Sequence, residues 1–320
     1  MATEFAVLLP AQHADAVEPA VAALEGLDEI EAALTIYHSD SEISRINQIA
    51  DQRPVHVTPF VFGLIEKAVL WSQRTAGAFD VTAGPLVEAW GFTRRDGRKP
   101  TASEVSQALG KVGYQHLRLD AEHHTVQFSR PGMSINMGGI GKGEALDWVA
   151  TRLRQAGVSD FLLHGGNSSI IAAGDQKRES GKGWAIGISH PTKPSRRLAG
   201  IWLRDAALAT SGSGKQFFHH RGRRYGHVID PRTGYPAGDL LALTVVMPSA
   251  ADADACSTGF FVAGTEALPQ EADWPLPDLI TVAAGRRQDE AILDSVGSIE
   301  WVTAEDERDD SVSQPSGDRD

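Results

Sequence analysis

The chain has 320 residues, 42% of them hydrophobic and 22% charged, a profile that fits one large or two ordinary domains and excludes disordered, fibrous and miniature disulfide-stapled classes. The 30 Lys and Arg against 42 Asp and Glu leave a formal net charge of −12, which repels a phosphate backbone and argues against nucleic acid as a partner. A lone cysteine, Cys256, excludes an internal disulfide and a cysteine-built metal centre.

The opening Met1-Ala2-Thr3-Glu4 has no basic n-region, apolar core or lipidation cysteine, and no apolar run approaches the ~20 residues of a transmembrane segment. The expectation is a cytoplasmic protein as the sequence stands, and a periplasmic or membrane-associated one if a leader has been removed. Phe5 to Leu9 reads as a strand. Val17, Val21, Leu24, Leu27, Ile30 and Leu34 then recur at helical spacing, with Pro19 marking a first turn or a kink. Pro59 to Thr75 predicts a second helix. In Gly77 to Phe92, an aromatic-rich segment containing Phe79, Asp80, Trp90 and Phe92 suits either core packing or a planar ring ligand. Short strands are expected at Leu117–Leu119, Thr125–Phe128 and Ser134–Met137.

Gly138-Gly139-Ile140-Gly141-Lys142-Gly143 leads from that last run into a helix predicted over Gly143 to Gln155. Such a turn either lets an anion approach bare backbone or is simply tight. It is not a Walker A loop, because Gly143 stands where Ser or Thr would hold magnesium, and no dinucleotide fingerprint is present. Further strands are expected at 161–163, 170–173, 184–188, 199–203, 242–247, 279–283 and 299–302. Thr210-Ser211-Gly212-Ser213-Gly214 offers hydroxyl and amide donors. Next, Asp230-Pro231-Arg232-Thr233-Gly234 is turn chemistry that could fix a strand carrying His227, a general base or a structural histidine. His219 and His220 are adjacent, so on a strand they face opposite ways. Asp254 and Thr258 lie four apart near a helix start, where they suit a hard cation, while Asp252 or Asp254 could equally be the N-cap. Strands and helices mix without regular alternation, which predicts an α+β or mixed α/β fold. From 304 to 320, seven acids face two arginines, which predicts a solvated, disordered tail and leaves −7 for residues 1–303.

Taken in order, five motifs resemble the ApbE family, the FAD:protein FMN transferases formerly described as thiamine biosynthesis lipoproteins. They are Asp40-Ser41-Glu42-Ile43-Ser44-Arg45-Ile46-Asn47, Ala78-Phe79-Asp80-Val81-Thr82 with Trp90-Gly91-Phe92, the Gly138 to Gly143 turn, Thr210-Ser211-Gly212 with His227-Val228-Ile229-Asp230-Pro231, and Asp254-Ala255-Cys256-Ser257-Thr258. The resemblance runs from Met1 to about Ala267. It implies one ApbE-like unit of two lobes over 1–303 with FAD in the cleft, and magnesium-dependent transfer of FMN from FAD to a threonine or serine hydroxyl of an acceptor protein, releasing AMP. The acceptor would carry a Ser/Thr-containing flavinylation motif. By matching positions, Met1, Tyr37, Ala78, Phe79, Asp80, Asn136, Lys142 and Val228 would contact FAD. The Gly139 carbonyl, Asp254 and Thr258, with Ser257 nearby, would hold Mg2+, and His227 would be the base. Two departures stand out: Asn136 replaces the family's usual Asp, and Met1-Ala2-Thr3 replaces Met-Gly-Thr. The same residues are compatible with an FAD pyrophosphatase giving FMN and AMP, or with a non-catalytic FAD-binding protein.

Overall fold

Phe5–Leu8 forms the expected opening strand, β1. The computed structural model describes residues 3–94, 96–177, 181–212, 214, 216–238, 240–269, 272–284, 290–303 and 306. The helical pattern after β1 divides into α1 (Val17–Glu25) and α2 (Leu27–Leu34), with Pro19 in the first turn of α1. At the break, a Cβ on Gly26 would lie 2.0 Å from the Trp148 ring. The buried face of α1 differs from the expected one: Ala20 and Ala23 are inside, while Val17 and Val21 are each more than half exposed. Small side chains win that face because it lies against Leu146, Val149, Ala150 and Leu153 at close range.

α3 (Glu42–Ile49) is capped by Ser41, whose hydroxyl accepts from the Ser44 amide. β2 (Val55–His56) and α4 (Pro59–Arg74) follow, α4 opening on a Thr58 cap and Pro59. Next come α5 (Gly84–Ala89), α6 (Ala102–Leu109), β3 (Leu117–Asp120) and β4 (Thr125–Phe128). The strand expected at Ser134–Met137 is absent: this segment makes a single bridge, Ser134 to Ala83, before turning into α7 (Gly141–Gln155). Its polar groups are satisfied outside any strand ladder instead, with Asn47 of α3 bonding both the amide and the carbonyl of Ile135.

The second half supplies β5 (Phe161–Gly165), β6 (Ser169–Ala173), β7 (Trp184–His190), β8 (Lys193–Leu203), β9 (Ala206–Gly212), β10 (Phe217–His220), β11 (Arg223–Gly226) and β12 (Ala242–Met247). It ends with α8 (Ala250–Ala263), β13 (Asp278–Ala284) and β14 (Ala291–Val296). Residues 299–302, expected as a strand, contribute one bridge between Trp301 and Ile201. Of 304–320, only Asp306 is among the described residues, and it is held by Lys182, Trp202 and Thr303. The remainder of the tail expected from composition to be solvated lies outside the described residues.

Seven strands form one antiparallel sheet in the order β1-β5-β6-β9-β12-β13-β14; β2-β4-β3 make a second sheet, and β7-β8 and β10-β11 are hairpins. Alternation sets two faces on the large sheet. Ala172, Leu208 and Ile280 point to the β7-β8 hairpin, whereas Ala209, Leu243, Val245 and Leu279 point to the core beneath α8. The fold is thus α+β.

α7 and α8 meet at their N-termini and cap one another. Asp147 of α7 accepts from the Ser249 hydroxyl at 2.7 Å and from the Ala250 and Ala251 amides at 2.9 Å. Asp254 of α8 accepts from the Gly143 amide at 3.2 Å. Both carboxylates satisfy orphan donors and face the positive end of the other helix. Ser249 is the residue at the N-cap of α8, so neither Asp252 nor Asp254 has that place; Asp252 accepts from the Trp71 indole at 2.7 Å. This crossing needs glycine, since a Cβ on Gly143 would lie 2.1 Å from the Ala250 carbonyl oxygen. Backbone cannot swing aside as a side chain can. Gly143→Ala is therefore expected to destabilise by about 3 kcal/mol, the upper end of ordinary overpacking costs, read as a lowered urea midpoint at unchanged slope.

Candidate active site

Asp254 lies within α8 with only 4% of its surface exposed. Lys142, one residue inside α7, donates to both of its carboxylate oxygens at 2.9 and 3.0 Å. Ser169, the first residue of β6, joins the pair: its hydroxyl is 3.1 Å from Lys142 Nζ and donates to Asp254 Oδ1 at 3.2 Å. One turn on, the Ser257 and Thr258 hydroxyls each donate to the Asp254 carbonyl at 3.0 Å. Ser211 reaches across from β9, 2.9 Å from Ser257 Oγ and 3.2 Å from Thr258 Oγ1.

The glycine turn closes on this cluster. A Cβ on Gly139 would stand 3.3 Å from Thr258 Oγ1 and 3.0 Å from the Phe79 ring, so the backbone of the turn, the hydroxyl and the aromatic edge converge on one place. Phe79 is buried and its amide donates to the Thr75 hydroxyl at 3.0 Å; Ala78 beside it is buried too. Asn136 ties the two segments together, since its amide donates to the Val81 carbonyl and its side-chain oxygen accepts from Gly138, both at 2.8 Å. Gly139, Lys142, Asp254, Ser257, Thr258 and Phe79 are thus assembled from three separate stretches of chain.

Asp80 faces another way. Its carboxylate accepts from the Thr82 amide and hydroxyl at 2.8 and 2.6 Å and from the Tyr114 amide at 2.9 Å. Burial nevertheless pushes its carboxyl above the ordinary range, against the pull of those bonds. The side chain holds the Gly113–Tyr114 loop together with Thr82, whose hydroxyl accepts from the Gly113 amide at 2.8 Å.

His227 follows β11 directly and is not on a strand. Its Nδ1 lies 3.2 Å from the Gln216 carbonyl oxygen. A carbonyl only accepts, so in the neutral ring Nδ1 carries the hydrogen and Nε2 keeps the lone pair. Phe92 packs edge-on to the ring, with centroids 6.3 Å apart. Desolvation and the nearby positive charge of Lys142 lower the imidazole below its ordinary value, outweighing the Gln216 bond. The turn expected after it is present: Asp230 accepts from the Arg232 amide and guanidinium, each at 2.9 Å. Val228 is half-buried, its carbonyl accepting from Ala237 at 2.9 Å. Tyr37 is 69% exposed and donates to the Thr93 carbonyl, one residue from the Phe92 that touches His227. Met1 lies outside the described residues.

Two residues escaped sequence reasoning. Ser169 carries no sequence signal, being a lone serine at a strand start. Asp147 acts through a helix 100 residues away in the chain, which no local pattern reveals. Among the described residues, no helix is long and apolar enough to cross a membrane.

The lowered imidazole of His227 has a pH signature. The neutral fraction of His227 falls only as pH drops through its lowered folded value. A rate that depends on it is expected to fall as pH drops, with its acid-side midpoint below the ordinary imidazole value of about 6.5, as a pH profile of the single-turnover rate would show.

A family model described as the ApbE family matches residues 1–279. A FAD:protein FMN transferase from Haemophilus influenzae is 34% identical over 255 residues, spanning 77% of this chain and 73% of that protein. One from Escherichia coli K12 is 31% identical over 248 residues, spanning 75% and 69%. Of the solved structures, the ApbE protein of Thermotoga maritima superposes with a TM-score of 0.77 at 29% identity, covering 87% of this chain and 89% of that one. Flavin transferase ApbE from Vibrio cholerae gives 0.75 at 26% identity, covering 96% of both chains.

Proposed function

The chain belongs to the ApbE family, and on that footing we propose that it transfers FMN from FAD to a threonine or serine hydroxyl of an acceptor protein, with magnesium as the metal and AMP as the leaving group. The observation that carries this reading is the convergence of the Gly139 turn, Lys142 and the Asp254 to Thr258 turn, with His227 near enough for the charge of Lys142 to act on its ring.

The oxygen donors suit magnesium. Asp254 is a buried carboxylate, Thr258 adds a hydroxyl, and the close approach of Gly139 brings bare backbone against that hydroxyl. No cluster of three or more His, Cys, Asp or Glu able to hold a metal occurs among the described residues. One carboxylate with neutral oxygens is the pattern of a cation that completes its shell with water and substrate phosphate, as magnesium does, rather than of a zinc centre. When bound, the ion would neutralise charge on the pyrophosphate and favour departure of AMP.

The remaining roles fall to the chain itself. Phe79 and the neighbouring backbone flank the ligand beside Gly139, and Lys142 offers an ammonium to the phosphate oxygens. His227 Nε2 takes the proton from the acceptor hydroxyl as its oxygen attacks the phosphorus on the FMN side. That phosphorus to oxygen bond forms while the bond to AMP breaks, and AMP departs as the phosphate. A hydroxyl is a poor nucleophile at neutral pH, so a base with a free lone pair is what this chemistry needs. The test is to incubate the protein with FAD, Mg2+ and an acceptor carrying a Ser/Thr-Gly-Ala-Thr-like segment. Intact mass is expected to show an added FMN, with AMP released in equal amount. Rapid AMP release without acceptor and without mass gain would replace transfer by hydrolysis; no AMP under any condition would leave only binding.

A further inference from the structure

We propose that Lys142 guards the metal site: its ammonium occupies Asp254 in the free protein and must withdraw to the FAD pyrophosphate before a divalent cation can bind, so that dinucleotide and metal binding are mutually reinforcing. This rests on the reading above of Asp254 as a metal ligand and of FAD as substrate.

A carboxylate offers about four lone-pair positions, and those of Asp254 are all taken. Oδ1 holds Lys142 Nζ at 2.9 Å and the Ser169 hydroxyl at 3.2 Å; Oδ2 holds Lys142 Nζ at 3.0 Å and the Gly143 amide at 3.2 Å. Ser169 and Gly143 are fixed in β6 and α7. Lys142 is the occupant that can leave, because its four-carbon stem is flexible and a quarter of its side chain reaches solvent. While it stays, the pair has no net charge and a second cation meets an ammonium at contact distance, which is repulsive. A pyrophosphate beside Gly139 gives the ammonium a doubly charged alternative. Its departure from Asp254 exposes an unpaired buried carboxylate, a costly state that a divalent ion relieves. Linkage makes the effect reciprocal: whatever factor FAD adds to metal affinity, metal adds to FAD affinity.

Mn2+ binding followed by electron paramagnetic resonance, without acceptor, tests this. For the wild-type protein, affinity for Mn2+ is expected to rise on adding FAD by a factor within the usual allosteric range of about 5–150. Lys142→Met is expected to bind Mn2+ at least about tenfold more tightly than wild type without FAD, with most of the FAD enhancement gone. Lys142→Gln, which keeps a polar group for Ser169, covers the case in which the Met variant does not fold. Asp254→Asn is expected to remove the bound Mn2+ signal in each background. Equal Mn2+ affinity with and without FAD, or no gain in either Lys142 variant, overturns the guard while leaving the transferase reading intact. Absence of bound Mn2+ even with FAD overturns the metal reading itself.

Discussion

His227→Ala is expected to slow FMN transfer by about 10²–10⁴-fold, the usual contribution of a positioned general base, with FAD affinity little changed. The reason is local. The Gln216 carbonyl fixes the hydrogen on Nδ1 and leaves Nε2 as the basic atom, and partial burial with Lys142 nearby keeps the ring neutral. Removing the ring removes the proton acceptor but none of the contacts around Gly139 and Asp254. Single-turnover mass spectrometry and an FAD titration by fluorescence separate the two. An equal loss of affinity and rate would mean that the ring binds substrate instead. Added imidazole is expected to restore part of the rate in the Ala variant, which a packing defect would not allow.

Asp254→Asn is expected to have the larger effect on turnover, about 10³-fold or more, because on the proposed metal role several kcal/mol of assistance are lost together. The substitution keeps the shape of the side chain and one acceptor oxygen, but Lys142 loses its charged partner and Gly143 has one oxygen fewer to share. Hydrogen bonds to a charged group contribute about 1.5–3 kcal/mol, and water reaching Lys142 offsets part of that. A modest fall in melting temperature with near-complete loss of transfer is the expected pair of readings. A large fall in stability with transfer retained would show that Asp254 is structural only.

How far the sequence carries depends on the range of the interaction that decides each element. The helix at Pro59 was legible because its signals are local: Thr58, Pro59 and the apolar spacing lie within a few residues. The apparent face of Val17 and Val21 misled because the surface that receives α1 is shaped by α7, more than a hundred residues on. Ser134 to Met137 reads as a strand by composition, yet Asn47 and the Val81 carbonyl take its polar groups. In the site, Gly139, Lys142, Asp254 and Thr258 stood out through a motif resemblance and do converge. What the motif could not convey is that Lys142 rests on Asp254, since an ion pair between residues so distant in the chain has no sequence spacing. Asp80 shows the converse: it looks like a ligand for a ring and spends its carboxylate on Thr82 and Tyr114.

The mutual capping of α7 and α8 has a consequence for how the molecule opens. Each helix start is completed by a carboxylate from the other, so neither can fray alone without stranding buried charge in its neighbour. The amides of Gly143, Ala250 and Ala251 should therefore exchange with deuterium at one common rate, in a single cooperative step, although about a hundred residues of chain separate the first from the other two. The helix backbones that frame the proposed site would then be as rigid as the protein as a whole, with motion there left to side chains such as Lys142.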